Sequence, residues 1–228
     1  MNTSKKTARI VGVLFLIVNV AFILGAAVFI EPILSAPDYI NLVSTNRTQV
    51  ILGVLLELIN GIAYVSIAVL MFPILRQSFE SIALGYVGFR VVEFVMQILS
   101  DISPLSLLTL SDKFTSAGMP DSVSLHTLGI LLLADRESAF LLISITFGLG
   151  ALMFYYVLYQ LKLIPRFISI WGLIGATLVL INTIFDMFGL SIPNLGILML
   201  LNELFLGIWL ILKGFNSPVT FSSSAQPS

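Results

Sequence analysis

The stretch "GYVGFRVVEFVMQILSD", residues 85 to 101, combines a long apolar run with four regularly spaced polar side chains. Arg90, Glu93, Gln97 and Asp101 follow one another at intervals of three, four and four residues, so a helix places all of them on one stripe. Placing a charged side chain in the centre of a bilayer costs roughly 2.5 to 3.5 kcal/mol. The stripe is therefore expected to face protein or water inside a bundle of membrane helices.

The composition of the whole chain supports this interpretation. Hydrophobic residues make up 58% of the 228 residues and charged residues only 10%, whereas about a quarter of the residues in an average soluble domain are charged. An integral membrane protein is therefore predicted. The formal net charge of -1 and the absence of a long basic run argue against nucleic acid binding. The absence of cysteine excludes disulfides and thiolate chemistry.

Six apolar runs, bounded by charges, prolines or polar clusters, reach or approach the length of about 20 residues that spans a bilayer. Lipid offers the backbone no hydrogen-bond partners and the runs lack strand-like alternation, so each is predicted to be a helix. The predicted fold class is all-α: a polytopic membrane protein with a six-helix transmembrane bundle over residues 1–215. The predicted helices lie at about 10–30, 50–74, 82–103, 138–161, 168–190 and 195–212.

Three segments flank or connect these helices. The first apolar run follows a basic N-terminus, as a secretory signal does, but it exceeds a typical signal core, so a retained helix is expected and cleavage is the alternative. Residues 104–137 form a long connection in which "SVSLHTLGILLLAD", with Asp121 and Ser122 as caps, predicts one outer interfacial helix. Residues 216–228 are rich in serine and predict a disordered cytoplasmic tail.

Lysine and arginine residues concentrate on one side of the predicted bundle, and the positive-inside rule assigns that side to the cytoplasm. Both termini are therefore expected to be cytoplasmic. The predicted outer side holds only Arg47, Lys113 and Arg136. The predicted cytoplasmic side holds Lys5, Lys6, Arg9, Arg76, Lys162, Arg166 and Lys213.

Polar residues in the other predicted helices extend the stripe into a candidate interior site. They lie in helices two, five and six, and a rise of about 1.5 Å per residue places most of them at overlapping depths. One shared substrate-binding site is therefore expected. The candidate binding residues are Glu57, Asn60, Arg90, Glu93, Gln97, Asn182, Asn202 and Glu203.

The charges in this predicted layer do not cancel, because Glu57, Glu93 and Glu203 face the single guanidinium of Arg90. At least one carboxyl is then expected to be protonated, to bind a cation or to lie in a water-filled cavity. The site is therefore interpreted as binding or passing a small polar solute, a proton or a cation. Two alternatives remain: a structural or partner-binding subunit that the polar layer only holds together, and an intramembrane enzyme.

The remaining polar residues carry weaker functional signals. His126 is expected on the surface, and Asp135, Arg136 and Glu137 are interpreted as the water edge of helix four. The sequence contains no HExxH motif, GxSxG elbow or GxxxxGK[ST] loop. No catalytic residue, metal ligand or cofactor is predicted, and the expected partners are the lipid bilayer and a small polar solute or ion.

Three stretches together, "YQLKLIPRFISIWGLIGA" at 159–176, "RVVE" at 90–93 and "NELFLGIWLILKGF" at 202–215, resemble a bacterial family of six-helix membrane proteins named domain of unknown function 4386. The resemblance spans most of the chain and implies a protein of the bacterial inner (plasma) membrane. It implies no established activity, cofactor or catalytic residue. Its specific parts are Leu163, Ile164, Pro165, Arg166, Trp171, Gly172, Arg90, Glu93, Glu203, Gly207, Trp209, Lys213, Gly214 and Phe215.

Overall fold

The computed structural model describes residues 3–114, 119–190, 193 and 195–216, and every regular element in these ranges is helical. This confirms the all-α prediction for the described residues. The predicted tail after Asn216 lies outside them. The elements are α1 (Thr3–Phe22), which continues into π-helical turns (Ile23–Ile30), α2 (Glu31–Leu34), α3 (Tyr39–Thr45), α4 (Arg47–Phe114), α5 (Met119–Leu161), α6 (Arg166–Met187) and α7 (Ile197–Leu212).

The lengths and surfaces of the helices are those of a membrane protein. In the described ranges, four helical stretches are long and apolar enough to cross a bilayer, and α7 is apolar but has only 16 residues. Large apolar side chains point outward from the bundle, among them Ile62, Val69 and Leu84. An outward apolar surface is favourable only where lipid replaces water. The four stretches are Lys5–Leu34, Arg47–Phe114, Val123–Leu161 and Arg166–Met187.

The longest helix, α4, folds back on itself. Phe79 has φ -140° and ψ 59°, which is not helical, and divides the helix into α4a (residues 47–78) and α4b (residues 80–114). Gly61 of α4a lies against the ring of Phe94 in α4b. At the ends of the two halves that lie farthest from Phe79, Arg47 forms an ion pair of 3.1 Å with Asp112. The two halves are therefore antiparallel neighbours, and each is longer than the roughly 20 residues that span a bilayer.

The predicted long connection at 104–137 is wrong. Helix α4b continues to Phe114, and α5 runs without interruption from Met119 to Leu161. The segment predicted as an interfacial helix that leads into helix four is thus helical and forms the first part of α5. It stays helical because Leu125, Leu132 and Leu133 pack against the apolar cluster at the end of α4b.

Pro104 explains why the helix boundary was misplaced. Proline lacks an N–H, so the carbonyl of Ser100, four residues earlier, loses its helical donor, and a helix is expected to end or kink there. In the structure, Arg136 Nη1 of α5 lies 3.4 Å from that carbonyl and donates to it. A contact between helices thus replaces the missing hydrogen bond, and α4b passes through a buried Pro104.

The apolar core forms two clusters, and α4 carries the polar residues between them. The first cluster joins α1, α4, α5, α6 and α7 around residues such as Ile67 and Phe154. The second packs the π-helical turns, α2 and α3 around Val54 and Leu108 at the far end of α4. The buried residues of α4 that lie between the two clusters are mostly polar: Glu57, Asn60, Arg90, Glu93, Ser100, Asp101 and Ser103.

Glycines allow α1 and α7 to pack with their backbones close together. A Cβ atom on Gly12 would lie 2.6 Å from the carbonyl oxygen of Gly207, and a Cβ on Gly207 would lie 3.0 Å from the carbonyl oxygen of Gly12. The obstacle at each position is backbone, which cannot rotate away. Only glycine therefore fits this crossing without moving the helices, as in other membrane helix pairs with small residues at the contact.

The Gly12→Val substitution is expected to destabilise the bundle by about 1 to 3 kcal/mol, because the added carbons overpack the α1–α7 contact. Thermal unfolding of the purified protein in detergent measures the loss. The matched control is Gly88→Ala, because a Cβ on Gly88 meets nothing within 4 Å and alanine favours the helix. An equal loss of stability in both variants would contradict the close contact.

Candidate functional site

The buried polar residues fall into two groups along the stripe of α4b. One group surrounds Arg90 and Glu93, and the other surrounds Gln97 and Asp101. Eight residues separate Glu93 from Asp101, which is about 12 Å along a helix. The single shared layer predicted from the sequence is therefore replaced by two neighbouring groups.

The first group, the Arg90 group, is built on a buried ion pair. Arg90 Nη1 lies 2.8 Å from Glu93 Oε2. Three aromatic rings surround the guanidinium: its Cζ atom lies 4.3 Å from the ring centroid of Tyr64, 4.8 Å from that of Phe147 and 5.5 Å from that of Tyr86. Aromatic faces attract a cation most strongly where water is excluded, so these contacts help to hold the charge of Arg90 inside the bundle.

A second carboxyl, that of Glu203 from α7, completes the Arg90 group. The hydroxyl of Tyr64 donates to Glu203 Oε2 at 2.8 Å. The other oxygen, Glu203 Oε1, is buried and makes no hydrogen bond among the residues that the structure describes, although the side chain of Asn19 lies close to this carboxyl. The group therefore contains two carboxyls, Glu93 and Glu203, and one guanidinium.

The second group, the Arg136 group, joins α4a, α4b and α5. Arg136 Nη2 lies 2.6 Å from Glu57 Oε1, and Nη1 lies 3.7 Å from Asp101 Oδ1. Gln97 Nε2 donates to both acids, to Glu57 Oε2 at 3.0 Å and to Asp101 Oδ1 at 3.2 Å. Arg136 Nη1 also lies 3.3 Å from the hydroxyl of Ser100. This group, too, contains two carboxyls and one guanidinium, so Glu57 does not share Arg90 as predicted.

Arg136 was misplaced by the sequence interpretation, which assigned it to the water edge of helix four. Its neighbours Asp135 and Glu137 are exposed, but Arg136 is only 9% exposed. Successive residues of a helix point about 100° apart, so only one of three adjacent charges faces the bundle. The sequence offers no signal that singles out Arg136, because steps of seven residues from Asp135 reach Leu142 and Leu149, which are as apolar as the Ile143 and Gly150 reached from Arg136.

A cavity of about 440 Å³ lies between α1, α4, α5, α6 and α7. Its walls are mainly apolar and include Phe22, Phe140 and Met199. No lysine, arginine or histidine is among the described residues that line it. Five of the predicted site residues do line it: Asn60, Glu93, Gln97, Asn182 and Glu203.

The other predicted site residues lie behind the cavity wall or face elsewhere. Glu57 and Arg90 are buried in their ion pairs and do not line the cavity. Asn202 donates from Nδ2 to the carbonyl of Ile168 at 3.0 Å and so faces α6. Although Asn202 is adjacent to Glu203, it does not line the cavity, because adjacent helical residues point in different directions.

Asn182 and Asp186 line the cavity near the end of α6. Asn182 Nδ2 donates to Asp186 Oδ2 at 3.1 Å, and Asn182 Oδ1 accepts from the backbone N–H of Leu195 at 3.2 Å. Asp186 is exposed, whereas Glu203 is only 3% exposed. The cavity thus extends from an exposed carboxylate to buried ones.

The family model for the domain of unknown function DUF4386 matches residues 10–214. The chain belongs to the DUF4386 family. The DUF4386 region includes both the Arg90 group and the Arg136 group, together with every cavity-lining residue. No curated protein and no solved structure matches the chain. Within the described ranges of this DUF4386 protein, no set of three or more His, Cys, Asp or Glu side chains is arranged to hold a metal ion.

The Arg136→Met substitution is expected to destabilise the protein by about 3 to 5 kcal/mol, because it leaves the buried carboxylate of Glu57 without its cation. The double variant Glu57→Gln with Arg136→Met is expected to recover much of that loss. Denaturant unfolding in detergent measures both. The control Glu137→Gln, an exposed neighbour, should change stability by less than about 0.5 kcal/mol. If the double variant is no more stable than Arg136→Met, the ion pair is not the cause.

Proposed function

We propose that this chain is an integral membrane protein of six passes in the bacterial plasma membrane, with both termini in the cytoplasm. Six passes result if α1, α4a, α4b, α5, α6 and α7 each cross once. The break at Phe79 supports two passes in α4. The burial of Arg136 supports the orientation, because it leaves only Arg47 and Lys113 as basic side chains at the proposed outer surface.

The absence of cysteine from the sequence allows this topology to be tested with single introduced cysteines. Thr45→Cys, in an exposed position of α3, is expected to react with a membrane-impermeant maleimide in intact cells. Gln77→Cys, exposed beside the Phe79 break, is expected to react only after the cells are opened. Labelling of both positions from outside would contradict an antiparallel pair of membrane passes in α4.

The proposed activity is the binding of a small organic cation in the 440 Å³ cavity. The observation that carries it is Glu203, whose carboxyl lines the cavity and whose Oε1 atom is buried without a partner among the described residues. Burying an unpaired carboxylate is unfavourable. A ligand with a positive charge would supply the missing partner, because Arg90 is already paired with Glu93.

The walls of the cavity indicate which kind of cation fits. Pockets that bind small molecules commonly measure roughly 300 to 1,000 Å³ and combine apolar walls with a few polar groups, and this cavity agrees with both criteria. Phe22, Phe140 and Phe147 contribute aromatic surface, which favours quaternary and protonated amines. An anion would meet the carboxyls of Glu93 and Glu203 and no basic group of the wall.

Phenyltrimethylammonium, whose charge does not titrate, is a suitable probe. Isothermal titration calorimetry in detergent is expected to show binding of this cation and none of benzenesulfonate, an aromatic anion of similar size. Glu203→Gln should weaken binding at least about tenfold, since losing the buried charge partner of a bound ion costs more than about 1.4 kcal/mol. Glutamine can still accept the hydrogen bond of Tyr64, so the fold should persist.

The control for this experiment is again Glu137→Gln, which should bind phenyltrimethylammonium like the unmodified protein. The competing hypothesis is a structural role, in which the polar layer only holds the helices together; the pairing of each arginine with a glutamate favours it. Absence of binding in the unmodified protein, or equal binding in Glu203→Gln, would decide for that hypothesis.

A further inference from the structure

The Arg136 group contains one carboxyl more than its single cation can neutralise. Arg136 Nη2 makes its short contact, 2.6 Å, with Glu57, whereas the nearest contact to Asp101 is 3.7 Å and too long for a hydrogen bond. Glu57 is therefore the closer partner of Arg136. Asp101 is the surplus acid: its Oδ2 atom is buried with no donor among the described residues, and its carboxyl lies against that of Glu57.

Among the residues that the structure describes, no second cation lies beside Asp101. On α4a the charged group that faces it is Glu57, and on α5 it is Arg136. On α4b the neighbours are the neutral Gln97 and Ser100. The π-helical turns, which pack against α4a beside Glu57, contribute Gly25.

The other charges on the same elements lie farther away or outside. Asp135 and Glu137 flank Arg136 but are exposed. Arg90 is a further cation on α4b, but it is already paired with Glu93. An ionised Asp101 would thus leave a buried negative charge beside a second carboxylate, a strongly unfavourable arrangement.

We propose that Asp101 and Glu57 form a proton-binding site that holds one exchangeable proton, carried on the Asp101 carboxyl. Protonation makes the group neutral, with one carboxylate, one guanidinium and one carboxylic acid. The proton comes from water and returns to it, and no other bond forms or breaks. Gln97 orients the pair, because its single amide nitrogen donates to an oxygen of each acid.

The geometry also couples this proton to the cavity, an extension that rests on the proposed cation binding. Gln97 lines the cavity together with Glu93 and at the same time contacts both acids of the Arg136 group. A cation bound near Glu93 lies about 12 Å from Asp101 along α4b. At an effective dielectric constant of about 20, one charge at that distance lowers the proton affinity of a carboxyl about tenfold. Cation binding therefore favours proton release, and proton binding favours cation release.

Infrared spectroscopy of the purified protein in detergent tests the proton site without any ligand. The Glu203→Gln background removes the surplus acid of the Arg90 group and so isolates the Arg136 group. This variant is expected to retain, at neutral pH, a protonated-carboxyl C=O band that shifts in heavy water. Adding Asp101→Asn should abolish the band, whereas adding Glu137→Gln should leave it. A band that survives Asp101→Asn, or no band in the Glu203→Gln background, overturns the assignment.

Stability supplies a second, independent measurement. Asparagine resembles a neutral aspartic acid, so Asp101→Asn should unfold at nearly the same temperature as the unmodified protein at neutral pH. If Asp101 were instead ionised and held by Arg136, the same substitution would remove an ion-pair partner and lower the unfolding temperature clearly. That second result overturns the proposal.

The coupling between cation binding and proton release has its own measurement. This measurement can contradict the coupling without contradicting the cation site or the proton site. Phenyltrimethylammonium should reduce the protonated-carboxyl band of the unmodified protein by more than it reduces that of Asp101→Asn, and benzenesulfonate should reduce neither. An equal loss in both proteins would come from Glu203 alone and overturns the coupling. Binding without any change in the band overturns the coupling and leaves the proton site standing. Absence of binding overturns the cation proposal and the coupling with it, whereas the ligand-free spectra still decide the proton site.

Discussion

A buried charge in an apolar helix bundle must find its partner within the protein, because lipid tails offer none. In this chain that constraint acts on Arg90 and Arg136, which the structure buries on different helices. Arg136 reaches from α5 to Glu57 on α4a and to the Ser100 carbonyl on α4b. One guanidinium thus joins three helical segments and replaces the hydrogen bond that Pro104 cannot make. The antiparallel arrangement of α4a and α4b depends on contacts of this kind as well as on apolar packing.

The two polar groups share a composition but differ in their access to ligands. Each contains two carboxyls and one guanidinium, so each carries one carboxyl in excess. The excess carboxyl of the Arg90 group, Glu203, faces a cavity large enough for a small molecule. The excess carboxyl of the Arg136 group, Asp101, lines no cavity of that kind among the described residues, and a proton is the smallest ligand that can neutralise it. Gln97 contacts the second group and lines the cavity of the first, which makes it the structural connection between them.

Much of the candidate site could be predicted from the sequence, because a helical stripe is a local property. The spacing of Arg90, Glu93 and Gln97 placed them on one face, and the structure buries or partly buries all three. However, the position of a residue along a helix does not reveal which neighbouring helix or cavity its side chain faces. Asn202 and Glu203 are adjacent, yet the first faces α6 and the second the cavity.

The sequence by itself determined the all-α class, the apolar helices of membrane length and the polar stripe of α4b, because hydropathy and helical periodicity act over a few neighbouring residues. Only the tertiary structure decided which acid pairs with which arginine and where α4b ends. Arg136 and its neighbours Asp135 and Glu137 carry similar local signals, and the helix packed against α5 selects one of them for burial. The local sequence at Pro104 predicts a helix end, but the guanidinium of Arg136 on α5 donates to the Ser100 carbonyl that the proline leaves without a donor. These outcomes depend on contacts between residues that lie far apart in the chain.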